Sequence, residues 1–190
     1  MSNEIPYFEL FRKVLKAVGS TRSLEDVLNL LVRNVTQVMG LKACAIRLFD
    51  PNNRTLELMA AHGLSRRYIS KGPVDADHSI AESMRGKIAT ILNVAGDSRA
   101  QYPEAAVEEG IVSLASIPLP FKGRVIGVLR MYTGTVHEFS EEELNFAEAL
   151  AELGAIVIQN ARLYDGLLRF KMPDCVGRPA GHYASHCIAV

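Results

Sequence analysis

Residues 117–133, IPLPFKGRVIGVLRMYT, predict two buried β-strands joined as a hairpin. Apolar residues dominate both halves, but Arg130 stands where an aliphatic side chain is typical. A guanidinium buried alone loses its hydration and is strongly destabilising. The position therefore predicts that an anion, water or an open edge of the sheet meets Arg130.

The rest of the chain alternates between helical and strand periodicity. Apolar residues recur three or four positions apart in the predicted helices, which cover 5–18, 24–38, 64–70, 79–85, 103–109 and 140–170. Ser23 and Ser140 are predicted N-caps of the second and last helices. Short apolar runs predict strands at 42–50, 55–62, 88–94, 111–119 and 124–133. This order predicts an α+β domain with a mainly antiparallel sheet.

Composition excludes several classes of protein. The chain has 190 residues, 48% of them hydrophobic, and equal numbers of basic and acidic residues, 21 of each. This balance argues against partners such as nucleic acid or an anionic membrane surface. No leader-like N-terminus and no run of about 18 apolar residues is present, so we expect a cytoplasmic protein. Of the three cysteines, Cys44 lies in an apolar run and is expected to be a buried thiol.

Two longer phrases carry a resemblance to a known family. GIVSLASIPLPFKGRVIGVLRMY, 110–132, and FSEEELNFAEALAELGAIVIQNARLY, 139–164, resemble the closing strands and helix of the GAF domain, a ligand-sensing and dimerising module. The resemblance covers about residues 7–168. It implies a five- to six-stranded antiparallel sheet with the terminal helices on one face and a ligand cavity on the other. We therefore expect one domain at 1–170 and an irregular tail at 171–190.

The resemblance also implies where a ligand would bind. The cavity loops would be 72–78 and 95–102, and SIAESMRGKIATILNVAGDSRAQ, 79–101, is similar to the elements that border the cavity. Asn93 stands where an Asp is common in the family. Candidate ligand-binding residues at this cavity are therefore Asn93, Asp97, Arg99, Tyr102 and Ser116. For the loop residues Asp97, Arg99 and Tyr102, a simple solvated loop is the alternative.

Strand alternation adds two arginines to the candidate site. Arg47 shares a face with Ala43, Ala45 and Phe49, and Arg130 shares one with Ile126, Val128 and Tyr132. The resemblance makes these strands neighbours. Two guanidinium groups on the cavity face could clamp a carboxylate or phosphate. The alternative for Arg47 is an ion pair with Glu57, if Phe49 pairs with Thr55 across the hairpin.

Metal sites have weaker support. Asp75, Asp77 and His78 could bind a metal, although a turn before a capped helix explains them as well. His62 at a strand end is compatible with ligation or with simple exposure to solvent. In the tail, Cys175, His182, His186 and Cys187 are zinc-ligand types, but their spacing is poor.

Three functions fit the pattern. The first is a non-catalytic sensor of a small, possibly anionic ligand, working as a homodimer through its terminal helices and possibly with a separate signalling partner. The second is a dimerisation scaffold with a closed cavity. The third is a free methionine-R-sulfoxide reductase, which in this family uses cysteines of the cavity loops; neither loop here contains one. The pattern names no cofactor.

Overall fold

The computed structural model describes residues 4–18, 23–77 and 81–171, which form six helices and six strands. The helices are α1 (Glu4–Val18), α2 (Leu24–Val38), α3 (Arg66–Ile69), α4 (Ala81–Met84), α5 (Pro103–Glu108) and α6 (Glu141–Lys171). The strands are β1 (Ala43–Asp50), β2 (Thr55–His62), β3 (Val74–Asp75), β4 (Ala89–Ile91), β5 (Ser113–Phe121) and β6 (Arg124–Thr133).

The strands form one antiparallel sheet in the order β3-β2-β1-β6-β5-β4. The predicted α+β class with a five- to six-stranded antiparallel sheet is confirmed. Strand β3 was not predicted, because a strand of two residues is too short to show a hydrophobic period. It pairs with β2 at the edge of the sheet.

One face of the sheet is covered by the long helices. Alternate side chains of β1, among them Cys44, Ile46 and Leu48, form a single core with buried residues of α2 and α6. This alternation follows from the pleat, which sends successive side chains to opposite faces. Helix α1 packs outside this layer, where Tyr7 stacks on Phe146 of α6 with ring centroids 4.2 Å apart.

The opposite face of β1 and β6 is covered by the short helices and the loops. Ala43, Ala45 and Tyr132 pack there against Tyr68 of α3 and Ala106 of α5. Ala43 and Ala45 are fully buried there. The resemblance places a ligand cavity on this face.

The predicted caps of the helices are confirmed. The Ser23 hydroxyl accepts a hydrogen bond from the Asp26 amide at 3.2 Å and so caps α2. At the start of α6, Ser140 accepts from the Glu143 amide at 3.2 Å, and the Glu143 carboxylate accepts from the Ser140 amide at 2.8 Å. This reciprocal capping box satisfies two backbone donors at the helix terminus.

The register of the β1–β2 hairpin differs from the predicted one. The turn comprises residues 51–54, and Asp50 rather than Phe49 pairs with Thr55. The Asp50 carboxylate accepts from the Asn52 amide at 2.9 Å, and Arg54 adopts a left-handed φ of 52°. Because one residue of shift moves a side chain to the other face, Glu57 pairs with Leu48 and not with Arg47.

Some sequence predictions fall on residues outside the described ranges. They include His78 and the tail beyond Lys171, with its possible zinc ligands Cys175, His182, His186 and Cys187. Among the described helices, none is both long and apolar enough to cross a membrane.

Candidate ligand-binding site

Arg47 of β1 and Arg130 of β6 lie on the same face of adjacent strands. Arg130 pairs with Ala45, and Arg47 pairs with Val128, which makes the two arginines diagonal neighbours. Their exposed fractions are only 3% and 5%. The predicted alternation is confirmed for the two arginines, which lie on the face opposite α2 and α6. It is wrong for Ile126, which packs against the core under α2 and α6, because the register of β5 and β6 shifts between Leu119 and Pro120.

Both guanidinium groups have hydrogen-bond donors without acceptors. Arg47 Nη1 donates to the Leu56 carbonyl at 3.2 Å, whereas its Nε and Nη2 have no partner among the described residues. Arg130 Nε is also buried and has no partner in the described part of the chain. The predicted alternative, an ion pair between Arg47 and Glu57, is wrong because the hairpin register places Glu57 beside Leu48. Arg47 therefore has no carboxylate partner on β2.

Two hydroxyl groups complete this surface, which we call the arginine wall (Arg47, Ser116, Arg130 and Tyr132). Ser116 of β5 pairs with Arg130, and Tyr132 lies two residues further along β6. Neither Ser116 Oγ nor the Tyr132 hydroxyl has a partner within the described ranges. In the part of the chain that the structure describes, every buried side-chain polar atom without a partner belongs to these four residues. Such atoms are rare in folded proteins, and a cluster of them indicates a missing ligand or water.

Tyr68 of α3 and Lys71 just after it face the arginine wall from above. Lys71 Nζ lies 3.6 Å from the centroid of the Tyr68 ring and donates to the Tyr68 carbonyl at 3.2 Å. Burial, together with the positive charges of Arg47 and Arg130, lowers the pKa of Lys71 from 10.5 to about 7. Burial raises the pKa of Tyr68, so this phenol is neutral.

Tyr102 holds the two cavity loops together. Its hydroxyl donates to the Pro73 carbonyl at 2.7 Å, and Gln101 Oε1 accepts from the Asp75 amide at 2.9 Å. Gly72 has a φ of 128°, and a Cβ there would lie 2.9 Å from the Tyr102 hydroxyl oxygen. A side chain at this position would therefore displace Tyr102. The Tyr102 ring lines a cleft above Arg130, while its hydroxyl binds the Pro73 carbonyl of the other loop.

The cleft above Arg130 is narrow. Tyr68, Lys71, Tyr102 and Leu114 are among its lining residues, and its volume is about 20 Å³. This volume is of the order of one water molecule. A wider groove of about 470 Å³, the outer groove, lies between the α3 and α5 regions and shares the side chains of Tyr68 and Lys71. These two side chains separate the inner cleft from the outer groove.

The other predicted ligand residues lie away from the arginine wall. Arg99 Nε and Nη2 donate to the Asp97 carboxylate at 3.0 and 2.6 Å, and this contact lowers the pKa of Asp97. Arg99 Nη2 also donates to the Thr90 carbonyl at 3.0 Å. Asn93 is exposed, and its side chain accepts from the Ala95 amide at 3.1 Å. A ligand role for these three residues stays a prediction.

No metal site is formed by the described residues, since no three His, Cys, Asp or Glu side chains converge among them. Asp77 instead accepts from Arg54 Nε at 2.7 Å and Nη2 at 2.5 Å. The Asp75 carboxylate accepts from the Asp77 amide at 2.7 Å, as expected for a turn. His62 is half-buried at the end of β2.

The sequence reasoning missed Tyr68, Lys71 and Gln101. The phrase LSRRYISK by itself indicates only a short helix and the start of a loop. An aromatic residue and a lysine three positions apart, directly before a predicted cavity loop, were the available signal, because residues at this spacing share one side of a helical turn.

Comparison with known proteins identifies the family. The family model of the GAF domain matches residues 21–159. A phosphoenolpyruvate-dependent phosphotransferase system protein of Escherichia coli K12 is 24% identical over 155 residues, which are 80% of this chain and 21% of that protein. A methyl sulfide methyltransferase-associated sensor of Methanosarcina acetivorans is 27% identical over 163 residues, 82% of this chain and 16% of that protein. The chain thus spans about a fifth of these curated relatives.

Solved structures share the fold. The GAF domain of a phosphoenolpyruvate-protein phosphotransferase from Coxiella burnetii superposes with a TM-score of 0.76 at 23% identity, covering 87% of this chain and 99% of that chain. A free methionine-R-sulfoxide reductase from Neisseria meningitidis, solved with its substrate, has a TM-score of 0.71 at 17% identity, covering 83% and 91% of the two chains. These identities establish similarity of fold alone. The family match over residues 21–159, joined to the six-stranded sheet and its helical layer, shows that this chain belongs to the GAF domain family.

Proposed function

We propose that this GAF domain is a non-catalytic sensor that binds a small anion against Arg47 and Arg130. The observation that carries the proposal is the cluster of unpaired buried donors on the arginine wall. Leaving a buried charged donor unpaired costs at least about 1–3 kcal/mol. An oxyanion would accept from both guanidinium groups, from Ser116 and from Tyr132, and would restore these hydrogen bonds.

The charges around the cleft favour an anion. Arg130 and Lys71 line it, and no carboxylate is among the lining residues in the described part of the chain. The positive charge of Arg47 also acts on Lys71 and lowers its pKa. Because opposite charges attract strongly where water is excluded, this arrangement selects negatively charged groups and disfavours cations. The inner cleft has about the volume of one water molecule, so it would have to widen to take one anionic group, and any larger body of the ligand would lie in the outer groove.

A chain of hydrogen bonds connects the end of β4 to the start of α6. Ser113 Oγ donates to the Leu92 carbonyl, just beyond β4, at 2.6 Å and accepts from the His137 amide at 2.9 Å. His137 Nε2 lies 3.1 Å from the Glu143 carboxylate in the first turn of α6. Ligand binding that shifts the β4 end would therefore reach α6, provided that the ligand favours one of two arrangements.

Exposed apolar side chains on the terminal helices support a homodimer. Phe8 and Leu15 of α1 are 69% and 45% exposed, and Ile156 and Leu163 of α6 are 48% and 59% exposed. Large apolar side chains on neighbouring helices are typical of an interaction surface. A second copy of this chain, packing α1 and α6 into a helical bundle, would cover them. The signal would then pass through this bundle.

The scaffold function is the second candidate, and the small volume of the cleft favours it. A scaffold would need no buried donors without acceptors, however, and a closed cavity is more stable when it is apolar. The reductase function has less support. Cys44, the cysteine among the described residues, is fully buried on the face of α2 and α6, and burial raises the pKa of its thiol. A thiol of this kind is inert.

Replacing Arg130 by methionine tests the proposed function. Arg130→Met should weaken the binding of sulfate or malonate at least about tenfold, because it removes a buried charged contact worth about 2 kcal/mol or more. The fold should be kept or stabilised, since an unpaired guanidinium leaves the interior. Isothermal titration calorimetry and thermal denaturation measure the two effects.

Arg124→Met is the matched control, because Arg124 is an exposed arginine at the start of the same strand. It should bind like the unmodified protein. Equal affinity in Arg130→Met and Arg124→Met would remove Arg130 from the site. Failure of the unmodified protein to bind either anion, with a dimer retained, would favour the scaffold.

A further inference from the structure

Lys71 is placed to act as a third cation at the arginine wall. Its ammonium lies 3.6 Å above the Tyr68 ring and 5.7 Å from the Tyr102 ring. The one hydrogen bond it makes within the described part of the chain is to the Tyr68 carbonyl, at 3.2 Å. A charged ammonium has three donors, so this contact leaves most of its hydrogen-bonding capacity free.

The charged groups around Lys71 come from several elements. Arg47 of β1 and Arg130 of β6 are positive and oppose its charge. Glu109 after α5 favours its charge, but that carboxylate already accepts hydrogen bonds from the Ser65 amide, at 2.7 Å, and from the Ser65 hydroxyl. Tyr68 is kept neutral by burial. The balance lowers the pKa of Lys71 to about 7 while the site is empty, so the amine is mostly neutral only above that pH.

We propose that Lys71 is the third cationic contact of the anion and that it becomes protonated when the anion binds, so that the site takes up a proton with its ligand. The proposal rests on the proposed function and deepens it. It also narrows the ligand class. Two guanidiniums and one ammonium match a small doubly charged anion, either an oxyanion of the sulfate or phosphate type or a dicarboxylate.

The expected effect of pH on the affinity for the anion follows from the linkage between anion binding and protonation of Lys71. In the empty site the pKa of Lys71 is about 7. A bound anion favours the ammonium and raises this pKa. Affinity should therefore rise as the pH falls from the pKa of the bound state towards 7, by at most about tenfold per pH unit. Below about pH 7 the amine is already charged in both states, and the affinity should level off.

The experiment measures proton uptake directly. Sulfate is titrated into the protein by calorimetry at about pH 8 and about pH 6, each in two buffers of different ionisation enthalpy, and the dependence of the heat on the buffer gives the number of protons bound. Sulfate does not titrate in this range, so any proton goes to the protein. Uptake approaching one proton at the higher pH and near none at the lower pH is expected. Malonate, titrated in parallel at the higher pH, distinguishes a preference for dicarboxylates from one for tetrahedral oxyanions.

Three variants identify the group that takes up the proton. Lys71→Arg should bind sulfate without proton uptake, because arginine is charged throughout. Lys71→Met should bind at least several-fold more weakly at about pH 6 and also show no uptake. Lys87→Met, which removes an exposed lysine, should behave like the unmodified protein.

The outcomes separate the two proposals. Sulfate binding that is lost in Arg130→Met but involves no proton uptake would overturn the role of Lys71 and leave the anion sensor intact. Unchanged uptake in Lys71→Met would overturn it as well. If neither sulfate nor malonate binds the unmodified protein, the anion sensor itself fails, and the role of Lys71 fails with it.

Discussion

Arg47 and Arg130 are buried in the middle of the sheet although neither has a carboxylate partner in the described structure. Contact between Arg130 and the Tyr132 ring, 5.7 Å from the guanidinium carbon to the ring centroid, offsets part of the lost hydration. The remaining unpaired donors lower the stability of the empty domain. Residues that destabilise a fold without contributing to its packing are typical of binding sites.

Lys71 also lowers the stability of the empty domain, and the size of this effect depends on pH. The folded state lowers the pKa of Lys71 from 10.5 to about 7, so the unfolded chain binds this proton more tightly. The free energy of unfolding should therefore fall as the pH is lowered from about 10 to about 7 and then level off. Lys71→Met removes the effect. In anion-free buffer it should raise the melting temperature more at about pH 6.5 than at about pH 10.

Thermal denaturation followed by circular dichroism, with Lys87→Met as the control, measures this difference. The exposed Lys87 should leave the pH dependence of the melting temperature unchanged. A Lys71→Met effect of equal size at both pH values would contradict the lowered pKa.

At the scale of elements, the pairing of β1 with β6 positions both arginines. Gly127 of β6 lies opposite Leu48, and a Cβ at this position would collide with the Arg47 carbonyl and approach the Leu48 backbone. The two strands can therefore approach each other closely only because position 127 has no side chain. This approach sets the diagonal placement of Arg47 and Arg130.

Gly127→Ala should consequently destabilise the domain. The added methyl meets backbone atoms, which cannot rotate away as a side chain could, and the expected loss is about 1–3 kcal/mol of unfolding free energy. Gly96→Ala is the matched control, since a Cβ there meets nothing within 4 Å. Urea denaturation measures both variants. Equal urea midpoints for the two variants would show that β1 and β6 accommodate the added methyl without losing stability. Gly127 would then not be required to position the two arginines.

At the scale of the whole molecule, the two faces of the sheet have different roles. The face under α2 and α6 is a continuous apolar core, whereas the opposite face contains buried charges and hydroxyls beneath short helices. Regular packing on one side thus supports a polar site on the other. The terminal helices leave apolar side chains exposed on the outside of the helical layer.

Ile156→Glu tests whether a second copy covers that outer surface. Ile156 is 48% exposed on α6, so a charge there should leave the monomer folded while it disrupts an apolar interface. A change from dimer to monomer in native mass spectrometry is expected, with sulfate binding retained. Val136→Glu, at a position 65% exposed in the loop before α6, is the control. A dimer that persists in Ile156→Glu would place the interface elsewhere.

Most of the fold was predictable from the sequence because its signals are local. These signals are hydrophobic periodicity, the caps at Ser23 and Ser140, and the turns between strands. Each depends on residues only a few positions apart. The same alternation placed Arg47 and Arg130 on one face. Strand β3 has no such signal, since it exists only through its pairing with β2.

The site depended on contacts between distant segments. The hairpin register, shifted by one residue at the turn 51–54, separates Arg47 from Glu57. The fold brings Lys71 to the arginines from outside the sheet, and it turns Asp97 and Arg99 towards each other. Local pattern thus predicted most of the elements and the face that both arginines occupy. Only the tertiary structure decided which charges meet, because electrostatic interaction depends on distance and burial in space rather than on separation along the chain.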